Sequence, residues 1–472
     1  MKKFFFATAS MFLVAACTSD LSSLNENTKA PEEVPASALI ANATVELTDY
    51  LSSVNVNLNN FILWSQHWTQ TTYTDESNFD FDNRDVNGNT YDKLYSGVLR
   101  DLKEARINIE NYEILTPLDA EHQRNQLALV EVLSVYTFGV LVDIFGDVPY
   151  SEAIGDSVTP KYDNDGEIYT DLVARLLYAH ANLSGDNGLG SSDLVYNGDA
   201  NMWKKFAASL ALKFAVRSAD ANTSSSSVGE AAVLAGVFTS EGDGAILRYT
   251  ATPPNTNPLW EDLVQSGRAD FICANTFADV LNNLNDPRRR VFFRNLDSAG
   301  NLSGAPYGLQ SKYAAYSQPG DLLEEPTLSA SLMDYAEVEF LLADAAARGW
   351  SVGGTAADHY DAAVTASIEA WGGSSADAAA YLAQTDVVWD ATKWKERIGV
   401  QKWIAMYTRG NEAWATQRQY DYPAMNVAEE AQTVTPYRMS YGIDEYSLNG
   451  TNVAAARGGN DDRFSKVFWD VN

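Results

Sequence analysis

Residues 121–145 are apolar nearly all round, and this stretch constrains the fold more than any other. A helix that is hydrophobic on every side has to be buried inside a larger protein. Gly146 follows the stretch and Pro149 lies just beyond it, and both residue types are typical of a helix end. We therefore expect a protein built around a buried helix.

Amphipathic helices are predicted on both sides of this segment. In residues 91–112, apolar side chains recur at steps of three or four, which is the spacing of one helical face. Similar patterns give four predicted pairs, at residues 91–112 with 121–145, 166–183 with 201–219, 329–348 with 356–371, and 393–408 with 411–420. Such pairs indicate helical hairpins of the tetratricopeptide kind, although they are not in tandem, and the fold class is mostly α.

Two long stretches lack this periodicity. Residues 221–328 are rich in Pro, Asn, Gly, Ser and Tyr, and a second loop-rich stretch runs from Tyr422 to the end of the chain. Long loops inside a compact domain usually carry function. These stretches are therefore where we look for binding residues.

The N-terminus has the features of a bacterial lipoprotein signal. Two lysines precede an apolar run at residues 4–14, which is too short to span a bilayer. Small residues then lead into Cys17 in the sequence LVAAC, which resembles a lipobox. We expect residues 1–16 to be the signal peptide and residues 17–35 to be the lipidated cysteine with a flexible tether. The alternative is an ordinary secretory signal with a chance cysteine.

Cys273 is the second of the two cysteines. If Cys17 carries lipid, no internal disulfide can form, so the stability of the domain at residues 36–472 has to come from its hydrophobic core. No later stretch of about 18 consecutive apolar residues is evident, so the lipid is the predicted membrane attachment.

The chain is strongly acidic. Its 33 lysines and arginines against 63 aspartates and glutamates give a net charge of -30. Such a surface repels phosphate backbones and anionic headgroups. The charge therefore argues against nucleic-acid partners and against a basic lipid-binding patch.

No catalytic or metal-binding motif is evident in the sequence. The four histidines are scattered, and no H-E-x-x-H, G-x-S-x-G or P-loop pattern occurs. Residues 80–89 offer oxygen ligands but lack the central glycine and the final glutamate of a helix–loop–helix calcium site. Residues 162–169 fit a helix-capping loop better. We therefore expect no catalytic residue, no metal and no cofactor.

Six segments carry a family resemblance. They are FGDVPYSEA (145–153), MWKKFAASLALKFAVR (202–217), DYAEVEFLLADAAARGW (334–350), QKWIAMYTRGNEAWA (401–415), TPYRMSYGIDEYSLN (435–449) and RFSKVFWDVN (463–472). In their order and spacing, across essentially the whole mature chain, they resemble the SusD/RagB family of outer-membrane lipoproteins from Bacteroidota.

This resemblance implies a single large domain in which four tetratricopeptide-like helix pairs pack against a loop-rich half. It also implies a nutrient-binding lipoprotein that has no catalytic activity and forms a lid on a SusC-like, TonB-dependent transporter. Family members bind glycans most often, with peptides as an exception. The implied location is the outer membrane, facing the cell exterior.

Trp64 and Trp68 are the principal candidates for ligand contact. They are four residues apart, which would place both indoles on one face of a helix. Core packing is the plain alternative, but residues 65–72 are polar apart from Trp68. An aromatic pair near a surface suits a sugar ring, because the C–H face of the sugar lies on the indole while its hydroxyls stay in water.

Tyr313 completes this predicted aromatic platform, and Trp260 and Tyr316 are second choices. Tyr307 is a further aromatic residue in a polar loop. Candidate hydrogen-bond partners for sugar hydroxyls are Arg268, Asn275, Gln310 and Lys312.

The predicted function is capture of an oligo- or polysaccharide and its delivery to the transporter. The expected ligand is a neutral glucan such as an algal β-glucan, because an acidic composition is compatible with a saline habitat and disfavours sulfated or uronic polymers. Two alternatives stay open, an exported lipid-anchored glycoside hydrolase and a peptide-binding member of the same family.

Overall fold

The computed structural model describes residues 34–81, 84–431 and 433–471. The predicted signal peptide, Cys17 and nearly all of the tether lie outside the described residues, as do positions 82 and 83 of the segment at 80–89. From Ala36 onward the described chain forms one compact unit.

Long helices follow one another through most of the described chain. They are α1 (Ala36–Ser52), α2 (Arg100–Glu110), α3 (Pro117–Phe145), α4 (Asp165–Asn182), α5 (Ala200–Arg217), α6 (Ser225–Gly236), α7 (Asn275–Asn283), α8 (Tyr335–Ala347), α9 (Ala356–Ala370), α10 (Ser375–Leu382), α11 (Trp394–Ala405) and α12 (Gly410–Tyr420). Short α-helical turns lie at Phe61–Trp64, Val86–Asp92, Pro258–Trp260, Arg289–Phe292, Ile443–Leu448 and Gly450–Ala455. A π-helical segment at Lys93–Leu99 leads directly into α2.

The four predicted helix pairs are present. α2 packs on α3, α4 on α5, α8 on α9, and α11 on α12. The stack continues between the pairs, because α3 also packs on α4, and α5 on both α6 and α8. The expectation of a mostly helical fold is confirmed, although α6 and α7 lie in the stretch that lacked a helical pattern.

α3 is the buried helix that its apolar composition predicts. A capping box of Thr116 and Asp119 begins it, with Pro117 at its first position. It ends at Gly146, whose φ of 79° lies in the left-handed region that favours glycine. By length and composition α3 could cross a membrane, but 83% of its most apolar window is buried inside the protein. Its place is therefore the core of this fold.

Short strands in the described residues form two-stranded antiparallel ribbons. The strands are β1 (Trp68–Gln70), β2 (Val148–Pro149), β3 (Tyr162–Asp163), β4 (Ala245–Leu247), β5 (Phe271–Cys273), β6 (Phe293–Arg294), β7 (Gln318–Pro319) and β8 (Ala330–Met333). The pairs are β1 with β5, β2 with β3, β4 with β8, and β6 with β7. The β1–β5 ribbon joins the N-terminal segment to the middle of the chain, with Trp68 opposite Cys273.

The helix predicted at 329–348 begins later than its apolar pattern indicates. Residues 330–333 form β8, and the side chain of Asp334 then caps α8 by accepting a hydrogen bond from the Glu337 backbone N–H at 2.8 Å. The apolar residues of β8 continue the helical pattern by chance, because a short buried strand and a buried helix are alike in composition.

A buried carboxylate, Glu412 of α12, is surrounded by cations. Lys213 and Arg217 of α5 and Lys402 of α11 all contact it, and the two lysine Nζ atoms lie 2.6 and 2.8 Å from its oxygens. Burial by itself favours the neutral acid, but these cations hold the pKa of Glu412 well below its ordinary value. Glu412 is therefore an ion at neutral pH.

The same cluster reaches two further helices, α8 and α3. Lys213 Nζ also lies 2.9 Å from Glu337 of α8, and the Arg409 guanidinium donates to Glu337 at 2.7 Å. Arg217 pairs in addition with Asp143 of α3. This buried ion cluster thus joins α3, α5, α8, α11 and α12.

We predict that Glu412→Gln lowers the free energy of unfolding by about 3–5 kcal/mol at neutral pH, because three buried cations lose their shared carboxylate. Since the folded-state pKa of Glu412 is depressed, this contribution is present above its ordinary value of 4.5 and is lost as the pH falls below that value. Denaturant unfolding at neutral and acid pH measures both effects. Glu104→Gln on the exposed face of α2 is the control, and equal stability of the two variants would contradict the prediction.

Candidate functional site

Trp64 and Trp68 lie in the core, with relative exposures of 0% each. The ring of Trp64 has the rings of Phe61, Phe81 and Trp414 around it, with centroids 5.4, 5.0 and 5.3 Å away. No face of the indole is open to a sugar, so the prediction of an aromatic platform at these two positions is wrong. The helix ends at Trp64 and Trp68 belongs to β1, so the two residues do not share a helical face.

The prediction failed because the polar residues beside Trp64 and Trp68 are themselves buried and form hydrogen bonds inside the protein. The Gln66 amide donates to the Asn426 carbonyl at 2.8 Å, and Gln70 donates to Glu76 at 2.7 Å. His67 Nε2 lies 3.1 Å from the Trp403 carbonyl, and burial lowers the pKa of His67 to about 3. Trp68 itself donates to the Tyr407 hydroxyl at 2.9 Å. Asn426, Trp403 and Tyr407 are far away in sequence, so the polar pattern resembled a surface.

Tyr307 is likewise buried, with a relative exposure of 1%. Its hydroxyl donates to the Leu63 carbonyl at 2.9 Å. It therefore holds the loop between β6 and β7 against the helix at Phe61–Trp64, and it does not face solvent.

Three loops meet on the surface above these buried residues, at residues 71–80, 305–316 and 425–431. The Asn78 side chain joins all three, because its amide donates to the Gly308 carbonyl at 2.7 Å and its oxygen accepts from the Glu430 backbone N–H at 3.1 Å. Ser311 N–H also donates to the Thr71 carbonyl at 2.9 Å. We call this region the three-loop surface.

Asp270 fixes the first of the three loops. Its carboxylate accepts from the Thr71 N–H at 3.1 Å, the Thr71 hydroxyl at 3.0 Å and the Thr72 N–H at 3.2 Å. Arg268 donates to the other oxygen at 2.7 Å and lies over the ring of Phe271. The loop is thus held in place on both sides of Thr71, and the half-buried Arg268 lies next to it.

Tyr73 is the most exposed aromatic residue of the three-loop surface, at 64%. Tyr313 and Tyr316 are half-buried on the neighbouring loop, whose turn is held by Gln318 donating to both of their carbonyls at 2.9 and 3.2 Å. Tyr73 was not among the predicted residues. The sequence pattern that could have indicated its exposure is a single aromatic residue between Thr72 and Thr74, with no apolar residue beside it.

Trp260 is half-buried and lies at the edge of this region. Its helix, Pro258–Trp260, packs against the turn Asp321–Glu324. Glu324 of that turn pairs with Arg294 at 2.7 Å, and Arg294 also lies close to the Tyr313 side chain. Trp260 and Tyr313 therefore flank the same turn.

The predicted hydroxyl partners are distributed around the same loops. Gln310 is exposed and donates to the Thr72 carbonyl at 2.9 Å, and Lys312 is exposed beside Tyr313. Asn275 accepts from Asn426 at 3.0 Å and is half-buried. With Arg268, these residues supply hydrogen-bonding groups beside the aromatic rings of Tyr73, Tyr313 and Tyr316. Such a combination binds a polar ligand with apolar ring faces.

We predict that Trp64→Ala and Trp68→Ala each lower the free energy of unfolding by about 3–5 kcal/mol, because each removes a fully buried indole. Tyr73→Ala is the matched control and should change it by less than about 0.5 kcal/mol. Denaturant unfolding monitored by circular dichroism measures all three variants. A Trp64→Ala protein as stable as the wild type would contradict the buried placement.

Solved structures share this fold over nearly its whole length. A chitin-binding protein is 27% identical, with a TM-score of 0.80, and the match covers 93% of this chain and 100% of that one. A chitin-binding SusD homologue from Flavobacterium johnsoniae is 24% identical, with a TM-score of 0.78 and coverage of 92% and 99%. A SusD homologue from Bacteroides uniformis is 25% identical, with a TM-score of 0.74 and coverage of 92% and 99%.

The match to a sequence family also covers most of the chain. A search of curated proteins finds no match. A SusD-like family model described as starch-binding and associating with the outer membrane matches residues 28–442. Because this match spans most of the chain, the protein belongs to the SusD-like family of non-catalytic, glycan-binding outer-membrane proteins.

Proposed function

We propose that this SusD-like protein captures a neutral polysaccharide at the three-loop surface. The observation that carries the proposal is the exposure of Tyr73, with Tyr313 and Tyr316 on the adjoining loop, among polar groups on a fixed backbone. A neutral sugar offers no charge, so its affinity has to come from apolar ring faces and hydrogen bonds. Tyrosine rings supply the first, and the amide of Gln310 and the guanidinium of Arg268 supply the second.

The acidic surface supports a neutral ligand over an anionic one. A net charge of -30 repels sulfated and uronic polymers unless the local charge is reversed. We propose a neutral glucan such as an algal β-glucan as the first candidate. Chitin oligosaccharide is the second, because one similar structure with 27% identity is that of a chitin-binding protein.

We predict that Tyr73→Ala, Tyr313→Ala and Tyr316→Ala each weaken polysaccharide binding by about twofold to tenfold, the loss expected for one aromatic stack of about 0.5–1.5 kcal/mol. Trp260→Ala tests the edge of the same surface. The measurement is titration calorimetry of residues 18–472 with an algal β-glucan and with chitin oligosaccharide. Tyr178→Ala is the matched control, because Tyr178 is equally exposed, at 64%, but lies on α4 in the helical half.

Unchanged affinity in all of the tyrosine variants would overturn the site, whichever glycan binds. If no neutral glycan binds but a peptide does, the peptide-binding alternative takes its place. The hydrolase alternative is excluded by membership of a non-catalytic family.

We further propose that Cys17 carries the lipid anchor and that a SusC-like, TonB-dependent barrel in the outer membrane is the partner. The motivation is the lipobox at LVAAC and the family to which the chain belongs. This arrangement would place the three-loop surface outside the cell, where a polysaccharide too large for the outer membrane is captured.

We predict that the wild-type protein fractionates with the outer membrane and that a barrel co-purifies with it after mild solubilisation. Cys17→Ala should accumulate as unprocessed precursor or be released, because the lipid is then missing. Membrane fractionation in cells without the barrel distinguishes attachment through the lipid from attachment through the barrel. A Cys17→Ala protein that still fractionates with the membrane in those cells would contradict the anchor.

A further inference from the structure

A cleft of about 580 Å³ lies between the helical half and the segment at 322–331. Its walls come from the end of α9, the start of α8 and the connection between α11 and α12. This volume is in the range of sites that hold a small ligand. The three-loop surface does not include any of its lining residues.

Hydroxyl groups and one indole line the cleft. The half-buried Trp371 contacts Phe292 and Tyr407 with its ring and also borders the open volume. The Ser331 hydroxyl is shielded from bulk water and has no hydrogen-bond partner in the described structure. The serines and threonines on the walls are Ser52, Thr327, Ser329, Ser331, Ser367 and Thr408.

Carboxylates give the cleft a negative charge. Glu241, Glu325 and Asp334 lie on its walls. Arg409 is the one cation among the lining residues, but its guanidinium is already bound to Asp334 at 3.0 Å and to Glu337 at 2.7 Å. Within the part of the chain that the structure describes, Glu241 and Glu325 form no ion pair.

Among the carboxylates on the cleft walls, Glu241 is the one whose pKa is raised by burial and by neighbouring acids. Partial burial raises its pKa, and repulsion from Glu369 and Asp334 raises it further. Glu369 lies at the exposed end of α9 and likewise has no ion pair among the described residues. A cation bound at Glu241 would offset this repulsion.

We propose that this cleft binds an oligosaccharide that carries a free amino group, such as a short run of glucosamine units. Its ammonium group pairs with Glu241 on the cleft wall, its hydroxyls bond to the serine and threonine side chains, and the C–H face of one ring lies on Trp371. An N-acetylated sugar of the same length lacks the positive charge and does not satisfy the carboxylates.

The cleft and the three-loop surface are separated by the turn Asp321–Glu324 and the residue that follows it. Leu322 and Glu325 line the cleft, whereas Glu324 points to Arg294 and thereby to Tyr313. The two sites therefore do not share side chains. This inference stands independently of neutral-glycan capture by the tyrosines.

The test compares two ligands that differ in charge, a glucosamine trimer and its fully N-acetylated counterpart, by titration calorimetry on residues 18–472. We expect the amine form to bind more tightly, and Glu241→Gln to weaken its binding by about twofold to fivefold, as for a partly exposed ion pair. Ala370→Trp fills the cleft from the exposed end of α9 and should abolish binding. Glu104→Gln on α2 is the charge-matched control.

Equal affinity for the two trimers, or amine binding that survives both Glu241→Gln and Ala370→Trp, would overturn the proposal. Tyr73→Ala separates the two sites. If it weakens binding of the amine form, the amino sugar lies on the three-loop surface and the cleft is not its site. If Tyr73→Ala weakens neutral-glycan binding alone, both proposals are supported.

Discussion

The buried contact between Lys213 and two carboxylates, Glu337 and Glu412, is the constraint on which the scaffold depends. Charges removed from water are tolerated only while each keeps a partner within hydrogen-bonding distance. α5, α8 and α12 therefore cannot slide past one another by a helical turn without leaving an unpaired ion in the core. A purely apolar contact would permit many such shifts, because hydrophobic packing has no direction.

The segment that leads into the three-loop surface is attached to this scaffold through α11 and the residues just beyond it. The Trp403 indole donates to the Ser65 carbonyl at 2.9 Å, and the Tyr407 hydroxyl accepts from Trp68. His67 contacts the Trp403 carbonyl from the other side. The polar segment before the three-loop surface is thus hydrogen-bonded to the helical core, and the large aromatic side chains Trp68, Trp403 and Tyr407 form these contacts.

Periodicity was sufficient to predict the helix pairs, because an amphipathic or fully apolar helix has the same signature wherever it packs. The short strands were not predictable, since β1 and β5 are three residues each and pair across about two hundred positions. The site was only partly predictable. Tyr313 and Tyr316 lie on the surface as expected, whereas Trp64 and Trp68 are buried. Their burial was not predictable, because local sequence does not reveal long-range hydrogen bonds of the segment such as Thr71 to Asp270, 199 residues apart.

If the three-loop surface is where the ligand binds, Asp270 affects both the rate of association and its entropic cost. With the Thr71 and Thr72 backbone held by its carboxylate, and Gly308 held by Asn78, the loops need no ordering when a ligand arrives. Binding would then restrict only side-chain rotation, and a tyrosine has just two such torsions. Most of the contact energy remains available as affinity, because little of it is offset by lost conformational entropy. A polysaccharide that binds there would meet a backbone that is already fixed, so its association would be limited by encounter and orientation of the polymer.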